Sequence, residues 1–384
     1  MKNRRMKYPL AVVIFSLFVL NLPAARGQET SEQGKNVRER ILMDFDWQFA
    51  FGHPTDPAKD YGTGTGYFSY LAKTGYGDGA AAAGFDDRTW RTVDLPHDWA
   101  AEAPFDARGS HSHGYKAVGR NFPEASVGWY RKTFSLPADD KGKRISLEFD
   151  GVCRDARVWV NGFYCGNEPS GYYGFSFDIT DFLNYGGENV VAVRTDVSLE
   201  EGWFYEGAGI YRHVWLNKTR PLHVPQNGTW VIANVENKQA QIIVHTKVYN
   251  QKTQSASFYI EQTVKDHNDN TVCSERSAYQ ILKPFEENEY TLNLNFHGPR
   301  LWSLEDPYRY VMLTRIVEGG KMVDSYETPF GIRTLRFDPE KGFFLNEESV
   351  KLLGTNNHQD HAGVGCAIPD ALNEWRIRQL KSMG

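Results

Sequence analysis

Val127-Gly-Trp-Tyr-Arg-Lys-Thr-Phe134 and Arg144-Ile-Ser-Leu-Glu-Phe-Asp150 are two short runs dense in β-branched and aromatic residues, separated by a polar turn. In the second run Ile145, Leu147 and Phe149 fall on one face of a strand, because successive side chains point to opposite sides. The next run, Arg157 to Tyr164, turns about Asn161-Gly162, a dipeptide that tolerates the positive φ of a tight hairpin. Asn189-Val-Val-Ala-Val-Arg194 and Tyr211-Arg-His-Val-Trp-Leu216 continue the pattern. Short strands at this spacing, from about Arg40 to Leu216, predict a sandwich or jelly roll. The Gly-rich stretch from Tyr61 to Gly84 has little apolar content and reads as a loop.

The hairpin also bears on the cysteines, Cys153, Cys165, Cys273 and Cys366. A two-residue turn pairs Val160 with Phe163, Trp159 with Tyr164 and Val158 with Cys165. Cys153 then lies on the opposite face from Cys165, so a regular hairpin forbids a bridge and only a bulge would restore it. No pair has metal-ligand spacing, and the thiols are expected to be free and packed.

Toward the C-terminus a second β block runs from about Leu222 to Arg333. Gln241 to Tyr249, Ser257 to Val264, Glu289 to Phe296 and Tyr308 to Ile316 alternate well, which predicts an immunoglobulin-like sandwich. A third block starts near Thr334. Phe343-Phe-Leu345 and Val350-Lys-Leu-Leu353 read as strands joined by Asn346-Glu-Glu-Ser349. Gly354-Thr-Asn-Asn-His-Gln-Asp-His361 reads as a polar loop, and Asp370 as the N-cap of a helix carrying Leu372, Trp375, Leu380 and Met383 at near-helical spacing. Strand, loop and helix make the opening unit of an α/β domain, so the expectation is a larger domain represented by one repeat.

Toward the N-terminus, Lys2, Arg4, Arg5 and Lys7 precede an apolar run from Leu10 to Leu22 and a small-x-small site at Ala25-Arg26-Gly27. This predicts a cleaved signal peptide over 1–27, a mature start near Gln28, and a periplasmic or secreted product with no membrane association after cleavage. The formal net charge is -5, the pI about 6.1, and no Lys/Arg stripe stands out, which argues against a nucleic-acid partner. Aromatics make up 14% of the chain, which suits both sandwich cores and contact with sugar C–H faces.

Six motifs then stand in order: Val93-Asp-Leu-Pro-His-Asp-Trp99, Gly128-Trp-Tyr-Arg-Lys-Thr-Phe134, Phe149-Asp-Gly-Val152, Val158-Trp-Val-Asn-Gly162, Gly207-Ala-Gly-Ile-Tyr-Arg-His-Val214 and Phe330-Gly-Ile-Arg333. Together they resemble glycoside hydrolase family two, the group of β-galactosidases, β-glucuronidases and β-mannosidases. The resemblance implies a mainly β chain: a galactose-binding-like jelly-roll sandwich over 28–220, an immunoglobulin-like sandwich over 221–333, and the first βα unit of a (β/α)₈ TIM barrel over 334–384. Such a barrel needs about 250 residues, so the expectation is an incomplete, truncated barrel.

The family's chemistry implies two carboxylates about 5–5.5 Å apart, one acid/base and one nucleophile. Both would come from later barrel strands, so no catalytic residue is expected in this chain, which on its own would be inactive. The acid/base glutamate follows an asparagine in the family. The pairs Asn167-Glu168, Asn288-Glu289, Asn346-Glu347 and Asn373-Glu374 lie in other contexts and read as surface residues. By the same resemblance His358 matches the first histidine of the loop after the first barrel strand, where an imidazole hydrogen-bonds a sugar hydroxyl. Asn357 and His361 are substrate-binding candidates beside it. Asp196 matches an aspartate that some β-galactosidases place at the −1 sugar and at a monovalent cation; no cofactor is required, and a monovalent or Mg2+ ion is the one implied additive.

Glu200, Glu201, Trp203 and Glu206 either rim the pocket or are simply exposed, and His111 and His113 with Arg108 and Lys116 form a polar loop without metal spacing. The expected function is the N-terminal part of a retaining β-glycosidase, a β-galactosidase by preference. A β-glucuronidase and a non-catalytic carbohydrate-binding module are the alternatives. The expected partner is a glycan, with self-association into a homo-oligomer left open.

Overall fold

In a computed structural model, which describes residues 37–62, 77–199, 202 and 204–384, the alternating runs pair into two β-sandwiches built from antiparallel strands. The signal segment, residues 63–76 of the Gly-rich stretch, Glu200, Glu201 and Trp203 lie outside the described residues.

The first sandwich sets a six-stranded sheet against a four-stranded one. The larger sheet runs Arg91–Val93, Trp47–Phe51, Val127–Ser135, Glu188–Asp196, Ala156–Val160, Phe163–Glu168. The smaller runs Arg38–Leu42, Val214–Thr219, Arg144–Phe149, Phe175–Asp178. The alternation seen in the sequence places Ile145, Leu147 and Phe149 in the inter-sheet core with Trp47, Tyr130 and Val193. Trp129, the neighbour of Tyr130, points the other way and is equally buried, in a second apolar layer with Ala80, Ala81, Trp90, Trp159 and Ala192.

That layer corrects the loop reading of Tyr61 to Gly84. Its described part includes a one-turn helix, Gly79–Ala81, whose Ala80 and Ala81 cover the outer face of the six-stranded sheet. The sequence hides this because small apolar residues score weakly even where they are fully buried. Arg131 ties the cover down, with Nε on Asp87 at 2.8 Å and Nη1 on the Ala82 carbonyl at 3.0 Å.

The hairpin forms about Asn161 (φ 51) and Gly162 (φ 86), and Val160 faces Phe163 and Trp159 faces Tyr164 as expected. The next pair differs. Val158 faces Gly166, so Cys165 becomes the extra residue of a bulge. The predicted pairing of Val158 with Cys165 is therefore wrong, because a two-residue turn fixes register only until a bulge intervenes. The bulge does not create a bridge: all four cysteines are free, and burial pushes the Cys165 thiol up to about 12.

The second sandwich sets Leu222–His223, Gln239–Asn250, Thr229–Glu236 and Glu286–His297 against Thr271–Arg276, Ala256–Lys265, Tyr310–Glu318, Lys321–Phe330 and Gln280–Leu282. Its core carries a polar clasp. Gln262 donates to Thr246 Oγ1 at 2.7 Å and accepts from Thr314 Oγ1 at 2.8 Å, all three fully buried. Gln262→Ala strands two buried hydroxyls, and is expected to lower the urea stability of this sandwich by at least about 1–3 kcal/mol. An unchanged midpoint by circular dichroism would show that water replaces the clasp. Asp324 of this sandwich accepts from the Val224 amide of the same sandwich at 2.8 Å and from Arg38 of the first at 2.7 Å, and the Arg38 contact fastens the two sandwiches together.

After Phe330 the chain forms a small sheet of Leu335–Asp338, Gly342–Leu345 and Glu348–Ser349. Two sequence expectations change here. Val350 to Leu353 is not a strand: the Val350 amide donates to the Phe343 carbonyl at 3.0 Å, but the segment joins no ladder among the described residues, and Leu352 and Leu353 are exposed. The helix α1, Asp370–Ser382, begins with Asp370 inside its first turn and Pro369 at the N-cap, where the proline ring pre-sets the backbone and makes no side-chain capping bond. No residue of α1 is buried, and Trp375, Ile377 and Met383 are exposed. Among the described residues there is no closed barrel, and no helix is long and apolar enough to cross a membrane.

Candidate functional site

The loop from Gly354 to Gly365 does not run free. It packs on the first sandwich. Gln359 Nε2 donates to the Tyr205 carbonyl at 2.9 Å, and the His358 ring sits 6.3 Å from the Phe204 ring, which in turn meets Tyr172 at 6.2 Å. At the loop's end His361 and Gly365 exchange two backbone hydrogen bonds of 2.9 Å, and the Cys366 amide donates to Asp98 Oδ2 at 2.9 Å. The start of α1 is fixed as well. His213 bridges Asp44 at 2.6 Å and Asp370 at 3.4 Å.

His358 and Asn357 are exposed, as a ligand contact requires, and Arg376 holds both, through the Asn357 side chain and the His358 carbonyl. His361 is half-buried and bonds its neighbour's carbonyl, Ala362, at 3.0 Å; it serves the turn. Asp196 stands at the end of Glu188–Asp196, accepting from Arg194 at 3.3 Å and from the Ser198 amide at 2.9 Å. It shares no hydrogen bond or ion pair with His358, Asn357 or His361 among the described residues. His358, Asn357 and His361 thus stand on one loop, and the bonds of Asp196 run to Arg194 and Ser198.

That network bears on the implied ion. One oxygen of Asp196 faces a guanidinium and the other accepts an amide, and no three His, Cys, Asp or Glu side chains gather to hold a metal among the described residues. A cation there would meet the Arg194 charge, so the surroundings of Asp196 do not fit a monovalent or Mg2+ site and no step below uses one.

Several residues differ from the reading as exposed or polar. Glu206 is buried at 3% exposure and accepts from the Gly202 amide at 2.8 Å and the Tyr172 hydroxyl at 3.3 Å. Burial and the nearby Glu206 charge raise the Tyr172 pKa above its ordinary value. His113 is fully buried with Nε2 3.2 Å from the Val197 carbonyl, and Lys116 spends its ammonium on the Ala101 and Ala103 carbonyls, so these two are packed, while His111 and Arg108 of the same loop are exposed. Of the four Asn-Glu pairs, Glu289, Glu347 and Glu374 are exposed, while Glu168 is half-buried and holds the Ser170 amide; none lies at the His358 loop.

The His213 bridge carries a pH expectation. Burial opposes its charge, but Asp44 and Asp370 outweigh that and raise its pKa above 6.5. A raised histidine pKa contributes stability that is present below the unfolded value and lost as pH rises through the folded one. Exchange of the first turn of α1 is therefore expected to accelerate as pH climbs through that window, after correction for intrinsic exchange. Asp370→Asn should flatten this dependence; an unaltered profile would contradict the bridge.

Two family models match consecutive stretches of the chain: the sugar binding domain of glycosyl hydrolases family 2 over residues 87–221, and glycosyl hydrolases family 2 over residues 223–333. This chain belongs to glycosyl hydrolase family 2. Among its relatives is a β-galactosidase of Bacteroides ovatus, 38% identical over 312 residues, covering 80% of this chain and 36% of that protein. A β-glucuronidase of Formosa agariphila is 32% identical over 324 residues, covering 78% of this chain and 32% of that protein. Among solved structures, a family 2 member from Bacteroides cellulosilyticus superposes with a TM-score of 0.78 at 31% identity, covering 90% of this chain and 42% of that one. The family 2 chain described here thus spans well under half the length of these relatives.

Proposed function

We propose that this chain is the N-terminal part of a secreted or periplasmic retaining β-glycosidase that acts on β-galactosides, with its acid/base and nucleophile glutamates outside these 384 residues. The observation that carries the reading is the docking of the His358 loop onto the first sandwich beside Phe204 and Tyr172. An exposed imidazole next to aromatic rings suits a sugar: C–H faces lie on the rings and a hydroxyl bonds the imidazole. In retaining hydrolysis the two carboxyls make and break the glycosyl bond. The residues of this chain hold the sugar, and His358 helps catalysis only so far as its hydrogen bond strengthens in the distorted transition state. The basic, apolar and small-residue order of Lys2 to Gly27 supports export.

A second reading, β-glucuronidase, draws on the names of relatives from Formosa agariphila and Bacteroides fragilis, each 32% identical. Hydrolysis of nitrophenyl β-galactoside and β-glucuronide by the product of the complete coding sequence separates the two. The proposal expects the galactoside to have the higher kcat/KM. A higher value for the glucuronide would move the assignment to the second reading, and binding of either sugar without turnover would make the protein a carbohydrate-binding module.

A further inference from the structure

Asp98 stands in Val93-Asp-Leu-Pro-His-Asp-Trp99, far from the His358 loop in sequence, yet its carboxylate is the point where that loop meets the first sandwich. The side chain is almost wholly buried, and burial raises its pKa against the four donors it accepts from. Oδ1 faces its own domain, taking the Ala100 amide at 3.0 Å and the Ala208 amide at 2.9 Å. Oδ2 faces the junction, taking the Tyr205 hydroxyl at 2.8 Å and the Cys366 amide at 2.9 Å. Tyr205 passes the constraint on, because its carbonyl accepts from Gln359, the residue after His358.

The packing around this carboxylate leaves no slack. A Cβ on Gly365 would stand 2.1 Å from Asp98 Oδ2, and one on Gly207 2.8 Å away. Both glycines also have positive φ, +59 and +76. A carboxylate is the fitting group here. An amide in its place offers a donor NH2 toward the junction; the Tyr205 hydroxyl can turn to accept it, but the Cys366 N–H cannot.

We propose that Asp98 is the positioning residue of the His358 loop, fixing from the first sandwich where that imidazole stands for sugar contact. The sugar contact itself rests on the functional reading above. The positioning does not.

The test uses the purified chain and two variants. In Asp98→Asn the Cys366 amide and its neighbours are expected to exchange roughly 5- to 150-fold faster, the range set by one unsatisfied buried donor. The amides of Val127–Ser135 should keep their wild-type protection. The His358 ring signals should move as the imidazole leaves its place beside Phe204, a signature that a general loss of packing would not give alone. Tyr205→Phe removes one donor and orphans none, so a smaller shift of the same signals is expected, and it serves if Asp98→Asn does not fold. Unchanged loop exchange and unchanged His358 signals in both variants would overturn the proposal. So would an equal loss of protection in the loop and in Val127–Ser135. Titration of methyl β-galactoside into the wild-type chain is scored separately: failure to perturb His358 counts against the functional reading, while the loop measurements still decide the role of Asp98.

Discussion

Asp60→Ala is expected to lower the stability of the first sandwich by about 3–5 kcal/mol. Asp60 is fully buried and sits at the outer face of the six-stranded sheet. Its two oxygens take Arg194 Nε at 3.0 Å, Trp129 Nε1 at 2.9 Å and the His53 amide at 3.1 Å. The Arg194 side chain is only 4% exposed, so removing Asp60 leaves a guanidinium in low dielectric with Asp196, at 3.3 Å, as its remaining carboxylate. A buried guanidinium left with only the longer, partly exposed contact to Asp196, more than the loss of three hydrogen bonds, sets the magnitude. The paired replacement Asp60→Leu with Arg194→Met removes both charges and is expected to cost clearly less than Asp60→Ala alone. Urea unfolding followed by tryptophan fluorescence measures both. Equal losses in the two variants would show that packing, not charge, dominates. The chemical match extends to Gly52, whose hypothetical Cβ would lie 2.1 Å from Asp60 Oδ1, so Gly52→Ala should also destabilise.

Trp129→Ala is expected to cost about 3–5 kcal/mol as well, by a different route. Its ring is fully buried and stacks on Trp159 at 5.5 Å and 28°, closing the layer under Ala80 and Ala81. Truncation leaves a cavity that flat neighbours cannot fill and removes the indole donor to Asp60. Trp129→Phe should recover a large part of the loss by keeping the stack. Because Trp129 and Asp60 share a hydrogen bond, the two losses should be less than additive in the double variant. Trp375→Ala provides the contrast: at 53% exposure on α1 it should change stability by no more than about 0.5 kcal/mol. A large effect there would mean that α1 packs against something beyond the described contacts.

The sequence carried the sandwiches because strand alternation and turn residues are local signals. Ile145, Leu147 and Phe149 share a buried face, and Asn161-Gly162 turns where it should. It failed where the outcome depends on a distant partner. Nothing local says that Cys165 bulges, that Ala80 and Ala81 cover a sheet, or that Val350 to Leu353 joins no ladder among the described residues. The site divides the same way. The loop motif singles out His358 and Asn357, and the structure shows both exposed on that loop. Asp98, Tyr205 and the burial of Glu206 were not legible, because each is defined by a contact across more than a hundred residues or by a fold around it. The His-Asp-Trp end of Val93 to Trp99 was the available clue: a carboxylate beside a tryptophan that reads as core is an acceptor in search of donors.

The most direct test of the account is the effect of His358→Ala on hydrolysis of nitrophenyl β-galactoside by the product of the complete coding sequence. The account predicts turnover by that protein, none by the 384-residue chain, and a fall in kcat/KM of about a hundredfold in the variant, on the scale of one lost transition-state hydrogen bond. Full activity in His358→Ala, or turnover by the 384-residue chain alone, would contradict it.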